Sequence, residues 1–431
     1  MRQAPIRAQH AQRTSLLTTI LVAALSAITS LTVAYSSYHL NSVTQKAADE
    51  SHRQDTYAKL IADLGSENAE ARVGAAVGLG PYARDDAERR DQTVAILTTL
   101  LTTEKNSQVL QALISSLVEA GAPAIDRVAE ANRYARQQYV SDTSAIVFSH
   151  MDKFYSYVQT ALKTKPDGSP AVSGDDIGTR FTGDARDRFN RFVYPQIEEQ
   201  IDFSLLTERE RQALTATRNR GGEADNSPAA VLHDSLFSLA SGLLGDFDQV
   251  EAGFDELNSI SVVTQATELA RDAKRLPDEA RAVYLTGIVL ARLMAANPAA
   301  MEKKNLRGIV LIGANLRLVH AKGLNLERAF IVGDADSADL SEEDLMAANL
   351  AYLDLFNADF TQSLLTAAIL PNGPSIANAN FTDANWEDSL NAGGDPEKTV
   401  WVGVIPSRAH PGVTGSPTRN CVNKDDPAIT F

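Results

Sequence analysis

The stretch ADLSEEDLMAANLAYLDLFNADF, residues 338–360, places Leu340, Leu345, Leu350, Leu355 and Phe360 at an unbroken spacing of five. An amphipathic helix buries a stripe of period 3.6 and a strand buries alternate residues, so neither accounts for a period of five. A chain that turns a corner every fifth residue does. Four such pentads close a square coil of about twenty residues, and coils stack about 4.8 Å apart with backbone groups paired as in a parallel ladder. The central apolar residue and the small residue two before it then point inward. Asn and Asp between them tolerate the tight backbone turns.

The phase extends in both directions. Upstream the centres are Leu306, Leu311, Leu316, Ala321, Leu326 and Ile331; downstream they are Leu365, Leu370, Phe381 and Trp386. Two residues before a centre stand Ala314, Ala329, Ala338, Ala348, Ala358, Ala368, Ala379 and Ala384. Ile331 to Leu340 is nine residues rather than ten, and Leu370 to Phe381 is eleven. Each irregularity predicts a bulge or loop.

The pattern A-[N/D]-[L/F]-x-x resembles that of the pentapeptide-repeat family, over about residues 302–390. The resemblance implies a right-handed quadrilateral β-helix of roughly four coils over 301–390, with Leu340, Leu345, Leu350, Leu355 and Phe360 in its core. Some members of that family bind DNA gyrase as acidic rods resembling duplex DNA, which makes a topoisomerase-modulating mimic one alternative function.

Helical repeats precede the pentads. NAEARVGAAVGLG from Asn68 and NSQVLQALISSLV from Asn106 align at an offset of 38. Ala71, Ala75, Ala76 and Leu79 fall on Val109, Leu113, Ile114 and Leu117, one apolar helix face in each copy. Gln92 to Thr102 supplies a partner helix between them, and Ala122 to Tyr139 a last one. The segment resembles HEAT-like repeats, and its DLGSENAEARVGAAVGLG (Asp63 to Gly80) is similar to the opening of many bacterial membrane-anchored pentapeptide-repeat proteins.

The N-terminus has the character of a membrane anchor. Thr14 to Tyr38 carries no charge, and about twenty apolar residues suffice to cross the hydrocarbon layer. Arg2, Arg7 and Arg13 precede it without an acid, which keeps the N-terminus in the cytoplasm and the bulk outside. A cleaved signal peptide and a buried core helix are the rival readings. The expected organisation is therefore multidomain: a cytoplasmic N-terminus (1–13), a transmembrane helix (14–38), a stalk with all-α HEAT-like repeats (39–140), a helical region of unassigned type (141–300), the β-helix (301–390) and a C-terminal cap (391–431). In the cap, KTVWVGVIP (398–406) is suited to covering the open end of the stack.

Chemistry is sparse. There is no P-loop, nucleophile elbow or H-E-x-x-H motif, and the seven His are scattered. The single Cys421 excludes a Cys-based zinc site within one chain. Asp334 to Leu345 begins like a calcium loop, but Asp339 replaces its glycine and Leu345 its final glutamate. No catalytic, cofactor or metal residue is assigned. An enzyme would need an unrecognised site in 141–300, such as a cluster of His150, Asp152 and Asp175.

The formal net charge of −15 argues against direct nucleic-acid binding. Between Asp334 and Leu390 stand eleven acids and no Lys or Arg. The sequence reading is thus a non-enzymatic, membrane-tethered interaction or scaffold protein of the bacterial cytoplasmic membrane. Its candidate interaction face comprises Asp339, Glu342, Glu343, Asp344, Asp354 and Asp359. The expected partner is another protein, with a homo-oligomer as a further possibility.

Overall fold

A computed structural model describes residues 50–147, 185–219, 227–241, 276–317 and 323–371, with Gly183, Val319 and shorter pieces between residues 373 and 422. The chain divides into two compact units, Met1–Glu67 and Asn68–Phe431. In the first, residues 50–64 are helical.

The second unit opens with four helices, α1 (Ala69–Asp85), α2 (Arg90–Thr103), α3 (Ser107–Ala120) and α4 (Ala122–Val147). The offset of 38 carries the caps as well as the apolar face. Asn68 accepts the Glu70 N–H at 2.8 Å, and Asn106 accepts those of Gln108 and Val109. Ala75, Ala76, Leu79, Val109, Leu113, Ile114 and Leu117 are all buried where α1 lies along α3. Further helices are α5 (Tyr194–Glu198), α6 (Glu208–Asn219), α7 (Pro228–Ser241) and α8 (Leu276–Ala296).

A five-stranded parallel sheet follows, in the order β1 (Val310–Asn315), β2 (Phe330–Asp334), β3 (Asn349–Asp354), β4 (Ile369–Leu370) and β5 (Leu390–Asn391). Isolated parallel bridges extend the pairing to other sides of each turn of chain, as Asn325↔Asp344↔Leu364 and Asp339↔Asp359↔Asn380. Leu340, Leu345, Leu350, Leu355 and Phe360 are all buried, and Phe360 stacks on Phe381 at 4.9 Å between ring centroids.

The corners have a specific construction. The N–H three residues after a pentad centre donates to the centre's carbonyl, as Ala348 to Leu345 and Ala358 to Leu355. The residue two after the centre takes positive φ, the signature of a type II turn. Glycine fills that place at Gly308, but Arg328, Ser337, Glu342, Ala347, Asn357, Gln362 and Ala367 also adopt it, with φ between 53° and 62°. The left-handed region costs a side-chain-bearing residue roughly 1–2 kcal/mol, only partly offset by the greater chain entropy lost by glycine. Ala347→Gly, at an exposed corner, is therefore expected to stabilise the chain by about 0.5–1 kcal/mol, read as a higher urea midpoint.

The nine-residue interval is a shortened pentad. Val310, Leu311 and Ile312 pair with Phe330, Ile331 and Val332, but Ala314 pairs with Gly333, so Gly313 bulges out of β1. On the other side, Phe330 pairs with Asn349 and Val332 with Tyr352, so β3 also carries an extra residue. The eleven-residue interval is taken up by a 3₁₀ turn, Gly373–Ile376, with Ile376 buried.

The fold class expected from the sequence requires correction. The described chain is mostly helical with a small parallel sheet, and its helices are built onto the sheet instead of standing apart as a separate all-α region before an isolated β-helix. The physical reason lies at β1, whose outer edge would otherwise present unpaired backbone groups. Asn132 of α4 accepts the Val310 N–H at 2.6 Å and donates to the Val310 carbonyl at 3.1 Å, so its amide acts as a neighbouring peptide group. Arg136, one turn later, donates to the carbonyls of Gly308 and Arg328 at 2.9 and 2.6 Å. Gly287 lets α8 press against β1; a Cβ there would sit 2.9 Å from Ile312 Cγ1. α7 braces β3 through Tyr352, whose hydroxyl donates to the Asp234 carbonyl at 3.0 Å.

The transmembrane helix is likewise not supported. No helix among the described residues is long and apolar enough to cross a membrane. The segment 14–38, on which that expectation rested, lies outside the described residues. At the C-terminal end Trp401–Val402 pairs in parallel with Cys421–Val422 in a separate two-stranded sheet and does not join β5.

Candidate interaction site

The six acids singled out from the sequence do not share a face. Asp339 and Asp359 are neighbours in one column, Asp344 lies in a second between Asn325 and Leu364, and Asp354 in a third beside Asp334. Glu343 and Asp354 are buried, each 2% exposed. Of the six, only Glu342 is exposed, at a positive-φ corner.

Most of these acids build turns. Asp339, Asp344, Asp354 and Asp359 each accept the N–H two residues on, from Ser341, Met346, Phe356 and Thr361. Asn305, Asn325, Asp334 and Asn349 make the same contact in their own pentads. The acidic run is in large part a run of Asx turns, required by the corners.

The recessed surface of the helical part is better formed. A cleft of ≈ 700 Å³ lies between α2, α4 and α8. One stripe of α4 supplies Arg127, Glu130, Tyr134 and Gln138, spaced so that they share a helix face. Tyr134 is 66% exposed, unusual for so large an aromatic residue. Across from it stand Thr98, Thr99 and Thr102 of α2, whose hydroxyls donate to their own helix at Val94, Ala95 and Thr99. α8 adds Asp278, which pairs with Lys105 at 3.6 Å and with Arg281 at 3.3 Å. Burial lowers the Arg281 pKa, opposed by the pull of Asp278 and Glu104.

The other side of α4 is committed to the fold. Asn132 and Arg136 hold the first coil, and the buried Tyr139 donates to the Leu236 carbonyl at 3.0 Å. Burial of Arg136, with the Arg328 guanidinium beside it, pulls its pKa down to about 10, so it remains a cation at neutral pH. Tyr134 is thus presented from a helix whose opposite face is fixed to the sheet.

The beginning of α6 is equally anchored. Thr207 and Glu210 form a reciprocal cap, with the Thr207 N–H donating to Glu210 Oε2 at 2.7 Å. Arg292 of α8 closes on both carboxylate oxygens at 2.6 and 2.7 Å. Glu210 rests on the β1 bulge, where a Cβ at Gly313 would lie 3.1 Å from Glu210 Cβ.

Among the described residues no group of three or more His, Cys, Asp or Glu is placed to hold a metal ion. His233 lies between Asp234 Oδ1 and Asn190 Oδ1, at 3.0 and 2.8 Å, and edge-on to Tyr194, an arrangement that ties α7 to α5. His150, Asp152 and Asp175 lie outside the described residues. Comparison with protein-family models, curated proteins and solved structures gives no match.

None of the residues that build the cleft was singled out from the sequence. Tyr134 and Arg127 sit in a strongly polar helix, where a solvated face and a binding face carry the same residue types. Thr207-x-x-Glu210 is a legible capping signature. Gly287, within the apolar run VYLTGIVLARL, is a legible mark of close backbone approach.

Proposed function

We propose that this chain is a protein–protein interaction or scaffold protein that docks its partner in the cleft between α2, α4 and α8. The observation that carries the reading is Tyr134, a largely exposed aromatic side chain at a concave surface, with Arg127 on the same helix stripe. Tyr and Arg are the residue types enriched at the centres of protein interfaces, and a rigid support lowers the entropy lost on binding. The Arg127–Glu130 pair at 2.7 Å is half-exposed and therefore weak, so a partner can exchange it for its own contacts at little cost.

The acidic columns of the coils are the weaker docking surface, because their carboxylates already accept backbone N–H groups. The two surfaces are separable by substitution. Tyr134→Ala with Arg127→Glu is expected to weaken binding of proteins recovered with the intact chain at least tenfold, about 1.4 kcal/mol, with an unchanged melting profile. Asp339→Asn with Asp359→Asn removes two charges but keeps the oxygens that make the turns, and is expected to leave binding intact. The opposite pattern in a titration of the purified partner would move the docking surface to the coils.

A further inference from the structure

The position two before a pentad centre points into the coil; it holds Ala338, Ala348, Ala358 and Ala368 in some pentads and the larger Leu324 and Leu353 in others, all buried. Glu343 occupies the same position before Leu345 and is 2% exposed. The bridges Asn325↔Asp344↔Leu364 align the preceding residues, so Glu343 lies between Leu324 of the previous coil and Ser363 of the next. Neither of these neighbours titrates. The Leu324 N–H donates to the Glu343 carboxyl, while the Ser363 hydroxyl is already used on the Leu340 carbonyl. Glu343 Oε2 is buried without a hydrogen-bond partner among the described residues.

An apolar residue at this place, such as the Leu324 beside it, carries no desolvation cost, so a glutamate here is a costly choice. The charged groups that act on it, Asp339 and Glu342, are both acids of its own coil and oppose its ionisation. A neutral carboxyl satisfies the site; a carboxylate must be hydrated, and water reaches it only if the coil opens.

We propose that Glu343 is a proton-controlled latch in the coil stack, closed while its carboxyl is neutral and released when the carboxyl ionises in mildly alkaline conditions. Burial, opposed by the Leu324 N–H and reinforced by Asp339 and Glu342, pushes its pKa up to about 8. An unfolded chain has the ordinary glutamate value, about 4.3. The folded state therefore holds a proton that the unfolded state releases throughout this window. The stabilisation is complete below the ordinary value and lost as pH rises through the raised one. Across the window one linked proton lowers the folding equilibrium constant about tenfold per pH unit, and the dependence levels off above it.

The test compares urea unfolding of the full chain with that of Glu343→Gln from pH 5.5 to 9.5. The wild type is expected to lose about fiftyfold in folding equilibrium constant between pH 6 and 8 that the variant does not lose. Superimposable pH profiles would overturn the proposal. Carboxyl ¹³C NMR of the intact chain, with the resonance assigned by its absence in Glu343→Leu, provides a readout that does not depend on how well Gln fits. A Glu343 resonance titrating near 8 supports the latch. One titrating in the ordinary range near 4.3 removes it.

Discussion

Gly333→Ala is expected to destabilise the chain by about 3 kcal/mol or more, and to leave little folded protein at physiological temperature. A Cβ at Gly333 would stand 2.1 Å from the Ala314 carbonyl oxygen, 2.8 Å from its nitrogen and 2.9 Å from its carbonyl carbon. All three are backbone atoms of the neighbouring strand, and no side-chain rotation relieves them. The contact follows from the short pentad: with one residue fewer than its neighbours, β2 meets bulges on both sides, and Gly333 is the point of closest approach. Gly308→Ala provides the comparison. There φ is +72° but nothing lies within 4 Å of the new methyl group, so its cost is only the conformational one, about 1 kcal/mol. Chemical denaturation of the two variants measures the difference. Equal losses would show that the strands are not paired in the register described.

The second large effect is expected at the junction of α6 and α8. Arg292→Met removes the bidentate partner of Glu210, a residue only 8% exposed, and strands its carboxylate. Breaking a buried pair on one side costs about 3–5 kcal/mol. Restoring the balance differs from restoring the charge. Glu210→Gln in the Arg292→Met background keeps an oxygen for the Thr207 cap and removes the stranded charge, so the double variant is expected to regain at least half of the loss. A double-mutant cycle by urea unfolding measures the coupling. A double variant no more stable than Arg292→Met would mean that the carboxylate is hydrated despite its burial.

The inward residues were legible because they are chemically distinct from everything around them. Leu340 through Phe360 recur at a spacing that no helix or strand produces, and the missing residue between Ile331 and Leu340 showed as a slip in phase. The corner residues were not legible. Arg328, Glu342 and Gln362 are ordinary surface residues, and nothing in their identity announces positive φ. The acids have a second role, in the turns, for a reason the sequence does contain. Asp339, Asp344, Asp354 and Asp359 fall in the same five-residue phase as the leucines, which marks them as parts of the repeating turn before they are parts of a charged face.

The union of helices and sheet was out of reach of pattern alone. Asn132, in the middle of a helix rich in Arg, Glu and Gln, reads as a solvent-facing residue; in the fold it takes the part of a missing strand. The same helix turns Arg127 and Tyr134 to the opposite side. Both roles depend on α4 lying between the coils and α2, a long-range arrangement that local periodicity does not encode. The apolar segment 14–38 lies outside the described residues, and the membrane anchoring inferred from it finds no counterpart in the helices that are described.

We propose docking of a partner on the cleft side of α4, not on the acidic columns of the coils. Site-specific photocrosslinking in intact cells tests it most directly, with a photoreactive phenylalanine in place of Tyr134 in one strain and of Thr361 in another. Tyr134 lines the cleft, and Thr361 lies beside the Asp359 column. A discrete protein adduct at position 134, absent at position 361, is the expected result. An adduct at position 361 with none at 134 would contradict it.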